Sequence, residues 1–226
     1  TVSCEVSRVS PEAPGVVGKQ CAAFAEALGG AGNVAANVRS LGFDVTLVSM
    51  VGSDQDGRRI SELCGPAEIV PVIREVGDGF RTTTKTRYVS AGSLVFRFDQ
   101  EWHDGRACPV FPNELWDDCA AVILSDYNKG ALLSSDFTRH ILDGAHARGI
   151  VTIADFKPAN AHLFREACVV SPNQAELCSI SVPLRDAATL RGQSHAPRGV
   201  DDFSMRLFDV LEMYKFGAIA CTRGSE

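Results

Sequence analysis

The sequence predicts an α/β fold in which a doubly wound, mostly parallel sheet carries helices on both faces. Short apolar, β-rich runs alternate with helix-patterned segments along most of the chain. Three of these runs, "AAVILSD", "IVTIAD" and "ACVVSPN", end in polar residues. Ligands of such sheets gather at the carboxyl ends of the strands. One stretch, residues 81–101, breaks the alternation and is patterned as a β-hairpin.

The first half of the chain supplies two helices and two strands in alternation. Apolar residues from Val34 to Leu41 recur at helical spacing. "DVTLVSMVG" then predicts a buried strand. "SDQDGRRISELCG" predicts a helix with Ser53 or Asp54 as N-cap and Gly65 at its end. "EIVPVI" predicts a further strand, which its proline places at a sheet edge.

The second half contains the three strand runs, separated by helical segments around residues 134–148 and 158–165. Before them, "RTTTKTRYVSAGSLVFRFDQE" predicts two strands that turn at Ala91-Gly92. No helical segment is available to cover this hairpin. We therefore expect it to project as a lid, a dimerisation surface or both.

Composition indicates an ordinary globular protein. Of the 226 residues, 45% are hydrophobic and 22% charged, which suffices for a sizeable core. The net charge of −6 argues against a nucleic-acid surface. No apolar stretch of membrane-spanning length occurs, so no membrane partner is expected. The eight cysteines are scattered without a C-x-x-C pair, which favours a reducing, cytoplasmic location.

A glycine-rich turn, "GGAGNVAANVRSLG" at residues 29–42, leads directly into the first helix. Bare backbone at a helix start suits close contact with a ligand, although it equally suits tight packing of the helix on a sheet. A P-loop is excluded because no Lys-Ser/Thr pair follows Gly32. A dinucleotide site is disfavoured because Ala35 stands where the third glycine of its fingerprint belongs. The turn alone therefore does not identify a ligand.

The segments taken together resemble the PfkB or ribokinase-like sugar kinases. The glycine turn matches the first family signature, and "SRVSPEAP", "TKTRYVS", "VFRFDQE", "ILSDYNKGAL", "ADFK" and "SPNQAE" match further motifs. The resemblance is greatest to the kinase domain of bacterial D-glycero-β-D-manno-heptose 7-phosphate kinases, which serve ADP-heptose synthesis. It implies a ribokinase-like fold, ATP and Mg²⁺ as cofactors, and phosphorylation of heptose 7-phosphate to heptose 1,7-bisphosphate.

The resemblance also implies where the sugar phosphate binds. Gly29, Gly30 and Asn33 would contact the acceptor sugar, although Asn33 could instead serve only as a helix N-cap. The substrate phosphate would meet three hairpin cations, for which a solvated, aggregation-blocking edge is the alternative reading. These cations are Lys85, Arg87 and Arg97, of which Arg97 and Lys85 match the family's "RLD" and "TK" positions.

The nucleotide and its metal are implied to lie at the strand ends of the second half. The nucleotide-binding candidates are Lys157, Asn173, Gln174, Ala175, Glu176, Thr222 and Gly224. Asp126, Asp155 and Glu176 are the candidates for indirect magnesium binding. Strand-end aspartates also act as turn caps, and an Asn followed three residues later by Glu also forms a capping box. "ADFK" departs from the family's Asp-Pro-Lys by lacking the proline.

The family's catalytic base lies in a Gly-Ala-Gly-Asp motif, which these 226 residues do not contain. We expect that aspartate beyond Glu226, in a kinase domain truncated at both ends. Residues 1–226 then form one incomplete domain, with a β lid from about 1–20 and 73–101 that could join two copies as a homodimer. The alternatives are a catalytically inactive sugar-binding or regulatory relative and a PfkB kinase for another sugar.

Overall fold

The computed structural model describes residues 1–9, 17–77, 79–102, 107–181 and 202–223. The chain forms two compact units, Thr1–His103 and Asp104–Glu226. Parallel strands and helices occur in both, so the predicted α/β class is confirmed. The parallel strands form separate sheets in the two units rather than one continuous ladder of the described residues. Organisation as a single kinase domain stays a prediction.

In the first unit, a helix precedes a pair of parallel strands and a second helix connects them. The elements are α1 (Ala31–Ser40), β3 (Thr46–Gly52), α2 (Gln55–Cys64) and β4 (Val70–Val76). The strands pair in parallel along their whole length. Asp54 caps α2 by accepting a hydrogen bond from the N–H of Gly57, and Gly65 is its C-cap, as predicted. The buried residues between them are Ala35, Leu47, Cys64 and Ile69.

The first unit also contains a four-stranded sheet, called the lid sheet because it includes the predicted lid strands. Its strands are β1 (Val2–Val9), β2 (Val17–Phe24), β5 (Thr84–Ser90) and β6 (Ser93–Gln100), in the order β2-β1-β5-β6. β5 and β6 are antiparallel and turn at Ala91 and Gly92, whose φ values of 49° and 76° suit a type I′ hairpin. Residues 73–76 lie in β4 and pair with β3, so the predicted start of the lid at residue 73 is too early.

The second unit is built on a four-stranded parallel sheet in the order β10-β9-β8-β7. Its strands are β7 (Ala121–Ser125), β8 (Val151–Asp155), β9 (Val169–Val170) and β10 (Ala218–Ile219). The helices are α3 (Ser135–Ala147), α4 (Gln174–Ser179) and α5 (Asp202–Tyr214), with 3₁₀ segments at Asn113–Trp116 and Pro158–Phe164. The predicted strand "ACVVSPN" is therefore only two residues long, and the helix predicted around 158–165 is a 3₁₀ segment.

The hydrophobic core of the second unit packs around the sheet in which β7 and β8 end side by side. Its largest fully buried side chains include Ile141, Phe164, Val170 and Leu177. Ser125 and Asp155 pair in register as the last residues of β7 and β8, so the residues that follow them emerge at one sheet edge. None of the described helices is long and apolar enough to span a bilayer.

Candidate active site

The glycine turn lies at the start of α1, and its glycines differ in conformation and surroundings. Gly30 is the N-cap, with φ 51° and ψ −129°, a conformation that glycine adopts easily. Gly32 is buried, and a Cβ on it would lie 3.0 Å from the Cβ of Leu28. A Cβ on Gly29 would meet nothing within 4 Å. Tight packing therefore explains Gly32, whereas Gly29 presents open backbone.

Asn33 is the third residue of α1 and is exposed. The alternative reading of Asn33 as the N-cap is wrong, because Gly30 holds that position without any side-chain cap. The backbone N–H of Asn33 donates to the carbonyl of Gly30 at 3.1 Å. The Asn33 side chain is exposed at the turn, and its role in binding a ligand stays a prediction.

The predicted substrate cations share one face of the hairpin. In the β5–β6 register Lys85 lies opposite Asp99, and Arg87 lies directly opposite Arg97. Opposite residues of an antiparallel pair project to the same face, with Cβ atoms about 4.5–5.5 Å apart. The other face is apolar and includes Tyr88 and Phe96, whose ring centroids are 5.8 Å apart. The hairpin is therefore amphipathic, with a cationic face and an apolar face.

Ion pairs on the cationic face are unequally distributed. Arg97 Nη2 lies 3.0 Å from Asp99 Oδ2, and Lys85 Nζ lies 3.9 Å from the same oxygen and 3.5 Å from Glu101 Oε1. No ion pair of Arg87 occurs among the described residues, and its side chain is exposed. The two arginines thus lie opposite each other, and the two carboxylates pair with Arg97 and Lys85 rather than with Arg87. No hydrogen bond or ion pair of the described part of the chain joins this face to the glycine turn.

In the second unit, Asp126 directly follows β7 and is 5% exposed. Its Oδ1 accepts from the backbone N–H of Asn128 at 2.7 Å, and its Oδ2 accepts from Asn160 Nδ2 at 2.7 Å. Asn160 also donates to the side chain of Asn128 at 3.1 Å. Both carboxylate oxygens are therefore occupied, and Asp126 shapes the loop after β7. Sequence reasoning missed Asn160, since a single asparagine in "KPANAHLF" carries no local signal.

Lys157 and Glu176 form the central ion pair of this edge, with Nζ and Oε1 2.9 Å apart. That hydrogen bond raises the pKa of Lys157. Burial raises the pKa of Glu176, but the hydrogen bonds from Lys157 and from the N–H of Asn173 outweigh it, so the pKa lies below its ordinary value. Burial, and then the charge of Glu176, raise the pKa of Asp155. The strand-end acids are thus close enough to repel each other.

Phe156 occupies the position between Asp155 and Lys157 and is buried. It is 3% exposed and stacks on Phe164, with ring centroids 4.9 Å apart and planes 11° apart. Lys157 then serves as the N-cap of the 3₁₀ segment that begins at Pro158. The buried ring and the fixed φ of Pro158 therefore restrict the chain on both sides of Lys157.

The segment "SPNQAE" forms the predicted capping box at the start of α4. Asn173 Oδ1 accepts from the N–H of Glu176 at 2.9 Å, and Glu176 Oε2 accepts from the N–H of Asn173 at 3.1 Å. Thr222 joins this turn, since its carbonyl accepts from the N–H of Gln174 at 3.0 Å. Gln174 and Ala175 are exposed at the helix start, whereas Gly224 lies outside the described residues. Both the structural and the nucleotide-binding interpretation are compatible with this geometry.

The strand-end acids do not form a metal cage. No group of three or more His, Cys, Asp or Glu side chains in the described ranges is arranged to hold a metal ion. Magnesium bound with a nucleotide needs only one or two carboxylates, because waters and phosphates supply the other ligands. Asp155 and Glu176 provide that number, and a cation would reduce the repulsion between them. Lys157 already pairs with Glu176 Oε1, and the capping box engages Oε2. Indirect magnesium binding by Asp126, Asp155 and Glu176 stays a prediction.

Comparisons with known proteins identify a family. A model described as pfkB family carbohydrate kinase matches residues 2–183. The bifunctional protein HldE of Acidiphilium cryptum is 32% identical over 228 residues, which covers 98% of this chain and 44% of that protein. The HldE of Rhodopseudomonas palustris strain TIE-1 is 37% identical and covers 76% of this chain and 36% of its own length. The chain therefore spans less than half of these curated relatives.

Solved structures share the fold at lower identity. A carbohydrate kinase from Agrobacterium tumefaciens matches with a TM-score of 0.62 and 20% identity, covering 99% of this chain and 66% of that one. Phosphofructokinase-2 from Escherichia coli in complex with fructose-6-phosphate matches at 0.59 and 19%, covering 99% and 70%. Fructokinase with bound ATP from Xylella fastidiosa matches at 0.59 and 18%, covering 100% and 70%.

Proposed function

The chain belongs to the pfkB family of carbohydrate kinases, and on that premise we propose that it transfers the γ-phosphoryl group of ATP to a hydroxyl of a sugar phosphate. The proposed substrate is D-glycero-β-D-manno-heptose 7-phosphate, and the product is the 1,7-bisphosphate. The sequence resemblance to heptose 7-phosphate kinases supports this choice, and so does similarity to proteins named HldE. A different phosphorylated sugar is the runner-up.

The observation that carries the proposal is the direct opposition of Arg87 and Arg97. Like charges opposite each other in a ladder are destabilising, so the pair is costly without an anion. A phosphate placed between them would accept charge-assisted, bidentate hydrogen bonds from both guanidinium groups. Asp99 orients Arg97, and Lys85 adds a third positive charge. This face therefore selects a phosphorylated sugar over a free one.

The acceptor sugar is proposed to lie against the open backbone at Gly29 and Gly30, with Asn33 hydrogen-bonding its hydroxyl groups. Transfer then depends on positioning, neutralisation of phosphate charge and removal of the hydroxyl proton. Mg²⁺, when bound, would neutralise phosphate charge. Removal of the hydroxyl proton is proposed to depend on an aspartate of the family's Gly-Ala-Gly-Asp motif.

ATP is proposed to bind at the strand ends of the second unit. Lys157 would leave its ion pair with Glu176 Oε1 to meet the phosphates. The released Oε1 would then assist the magnesium indirectly, while Oε2 keeps the capping box. Exposed Gln174 and Ala175 and the neighbouring Thr222 would line the same turn. Gly224 is retained as a candidate on the family motif alone.

A panel of substrates tests the proposal on the full-length gene product. Heptose 7-phosphate, free heptose and fructose 6-phosphate are each incubated with ATP and Mg²⁺, and the products are identified by ³¹P NMR. We expect a second phosphate on heptose 7-phosphate and none on free heptose. If only fructose 6-phosphate is phosphorylated, it replaces heptose 7-phosphate as the proposed substrate. Absence of ATP consumption with every sugar would refute the proposal.

We also propose that the apolar face of the lid forms a homodimer. β6 is an edge strand of the lid sheet, and Phe96 and Phe98 on this face are 56% and 48% exposed. An exposed, apolar edge strand seeks a partner strand, and a second copy offers an identical one.

A further inference from the structure

A four-membered hydrogen-bond cluster ties the start of the lid to the body of the first unit. Asp54 Oδ1 accepts from the hydroxyl of Thr82 and from the N–H of Gly57, each at 2.7 Å, and Oδ2 accepts from the N–H of Thr82 at 2.8 Å. The Thr82 hydroxyl in turn accepts from the N–H of Gly52 at 2.9 Å. The cluster therefore joins the end of β3, the start of α2 and the residue that lies just before β5.

Two glycines allow the cluster to close. A Cβ on Gly52 would lie 2.6 Å from the carbonyl oxygen of Phe80 and 2.7 Å from Asp54 Oδ2, and one on Gly57 would lie 2.3 Å from the carbonyl oxygen of Gly52. Burial opposes ionisation of Asp54, but the hydrogen bonds from Thr82 and Gly57 outweigh it and leave its pKa below the ordinary value. The carboxylate is thus charged at neutral pH, and its hydrogen bonds are of the strong, charge-assisted kind.

The part of β5 that bears the substrate cations depends on this attachment. β5 pairs with β1 only at Tyr88 and Val89 among the described residues. Lys85 and Arg87 precede that point, so they are held by the ladder with β6 and by the residues that lead into the strand. Thr82, 7% exposed, is the buried attachment on that side.

We propose that Asp54 is a positioning residue for the substrate phosphate. By holding Thr82 it fixes the start of β5, and with it the cations that bind the phosphate. This inference rests on the proposed function, since it assumes that the cationic face binds the phosphate. Capping of α2 is a separate task of the same carboxylate, and a serine can perform that task without reaching Thr82.

Four substitutions separate the two tasks. Asp54→Ser keeps a cap for α2 and removes the link to Thr82. Thr82→Val removes the hydroxyl with little change of shape, and Thr82→Ser restores it. Thr83→Val makes the same chemical change one residue later and serves as the matched control. In steady-state assays of the full-length protein, we expect Asp54→Ser and Thr82→Val to raise the KM for the sugar phosphate about tenfold, since small misplacements of binding groups are costly.

The kcat, the KM for ATP and the two control variants have expected values as well. The kcat and the KM for ATP should stay within about twofold of the wild type, because the ATP site lies on other elements. Thr82→Ser and Thr83→Val should both resemble the wild type. Equal increases in KM for ATP and sugar phosphate, or a KM unchanged in Asp54→Ser, would overturn the proposal.

Hydrogen exchange supplies a measurement that needs no turnover. Backbone amides of 84–89 should exchange faster in Asp54→Ser and Thr82→Val, while those of α2 keep their protection in Asp54→Ser. Unchanged exchange in β5 would refute the link itself. Faster exchange with an unaltered substrate KM would refute the positioning role and leave the proposed function standing. Failure of the wild type to use any sugar phosphate would refute the proposed function and the positioning role with it.

Discussion

Replacement of Arg87 by alanine should weaken binding of the phosphorylated substrate without weakening the fold. Arg87 lies opposite Arg97 and has no ion pair among the described residues. Favourable cross-strand pairs contribute roughly 0.2–1 kcal/mol, whereas like charges directly opposite each other are destabilising. Because Arg87 is exposed and therefore screened, its removal should leave the free energy of unfolding unchanged or raise it by less than about 1 kcal/mol.

The same side chain should matter far more when a phosphate is bound. A hydrogen bond to a charged group contributes about 1.5–3 kcal/mol, and about 1.4 kcal/mol corresponds to a factor of ten in affinity. An exposed guanidinium belongs at the lower end of that range. We therefore expect Arg87→Ala to raise the KM for heptose 7-phosphate about tenfold and to leave the weak binding of free heptose unchanged.

Kinetics and denaturation are measured on the same preparations. The matched control is Arg58→Ala, which removes an exposed arginine from α2 and changes the net charge equally. Equal loss of affinity for phosphorylated and free sugar would contradict phosphate recognition by this face. A fall in the urea midpoint of Arg87→Ala would contradict the separate argument that the opposed arginines destabilise the fold.

Two further predictions concern the strand-end acids and the lid. Asp155→Asn should raise the melting temperature at pH 7, because burial and the charge of Glu176 raise the pKa of Asp155 and the ionised form therefore destabilises the fold. The higher melting temperature of the variant should disappear as the pH falls through the raised pKa of Asp155 towards the ordinary value of about 3.9. Separately, Mg²⁺-ATP should stabilise the wild type more than the variant. A variant that melts below the wild type at pH 7 would contradict the argument. The wild type should behave as a dimer in light scattering and Phe96→Lys as a monomer, since a charge on the apolar face opposes its burial. Identical masses for the two proteins would refute the proposed interface.

Local signals in the sequence predicted the elements whose ends are determined locally. Asp54 and Gly65 delimit α2 as predicted, and the hairpin turns at Ala91 and Gly92. The capping box at Asn173 is also formed as predicted. Each depends on residues within one or two turns of the chain, so spacing alone contains the information. By contrast, the short length of β9 depends on which neighbours it finds in the sheet.

Long-range partners were not accessible to the same reasoning. The bond from Asn160 to Asp126 spans 34 residues, and that from Thr82 to Asp54 spans 28. Asp54 carried a correct local signal as an N-cap, but nothing near it in the sequence indicates what its second oxygen accepts. The assignment of sugar, nucleotide and metal roles came from the family resemblance, and those roles stay predictions for this chain.

The hairpin shows why register, rather than composition, decides whether the cations form a site. Side chains alternate between faces with a period of two, so a slip of one residue in β5 against β6 would move Arg87 to the face of Phe96 and separate it from Arg97. The type I′ turn at Ala91 and Gly92 fixes the pairing of Ser90 with Ser93, and a register shift between Tyr88 and Val89 then sets Arg87 opposite Arg97. The Asp54 carboxylate holds Thr82 at the other end. Two like charges can be kept opposite each other only if both ends resist such a slip, because the repulsion itself favours it. We therefore expect the aspartate that caps α2 to help keep Arg87 opposite Arg97.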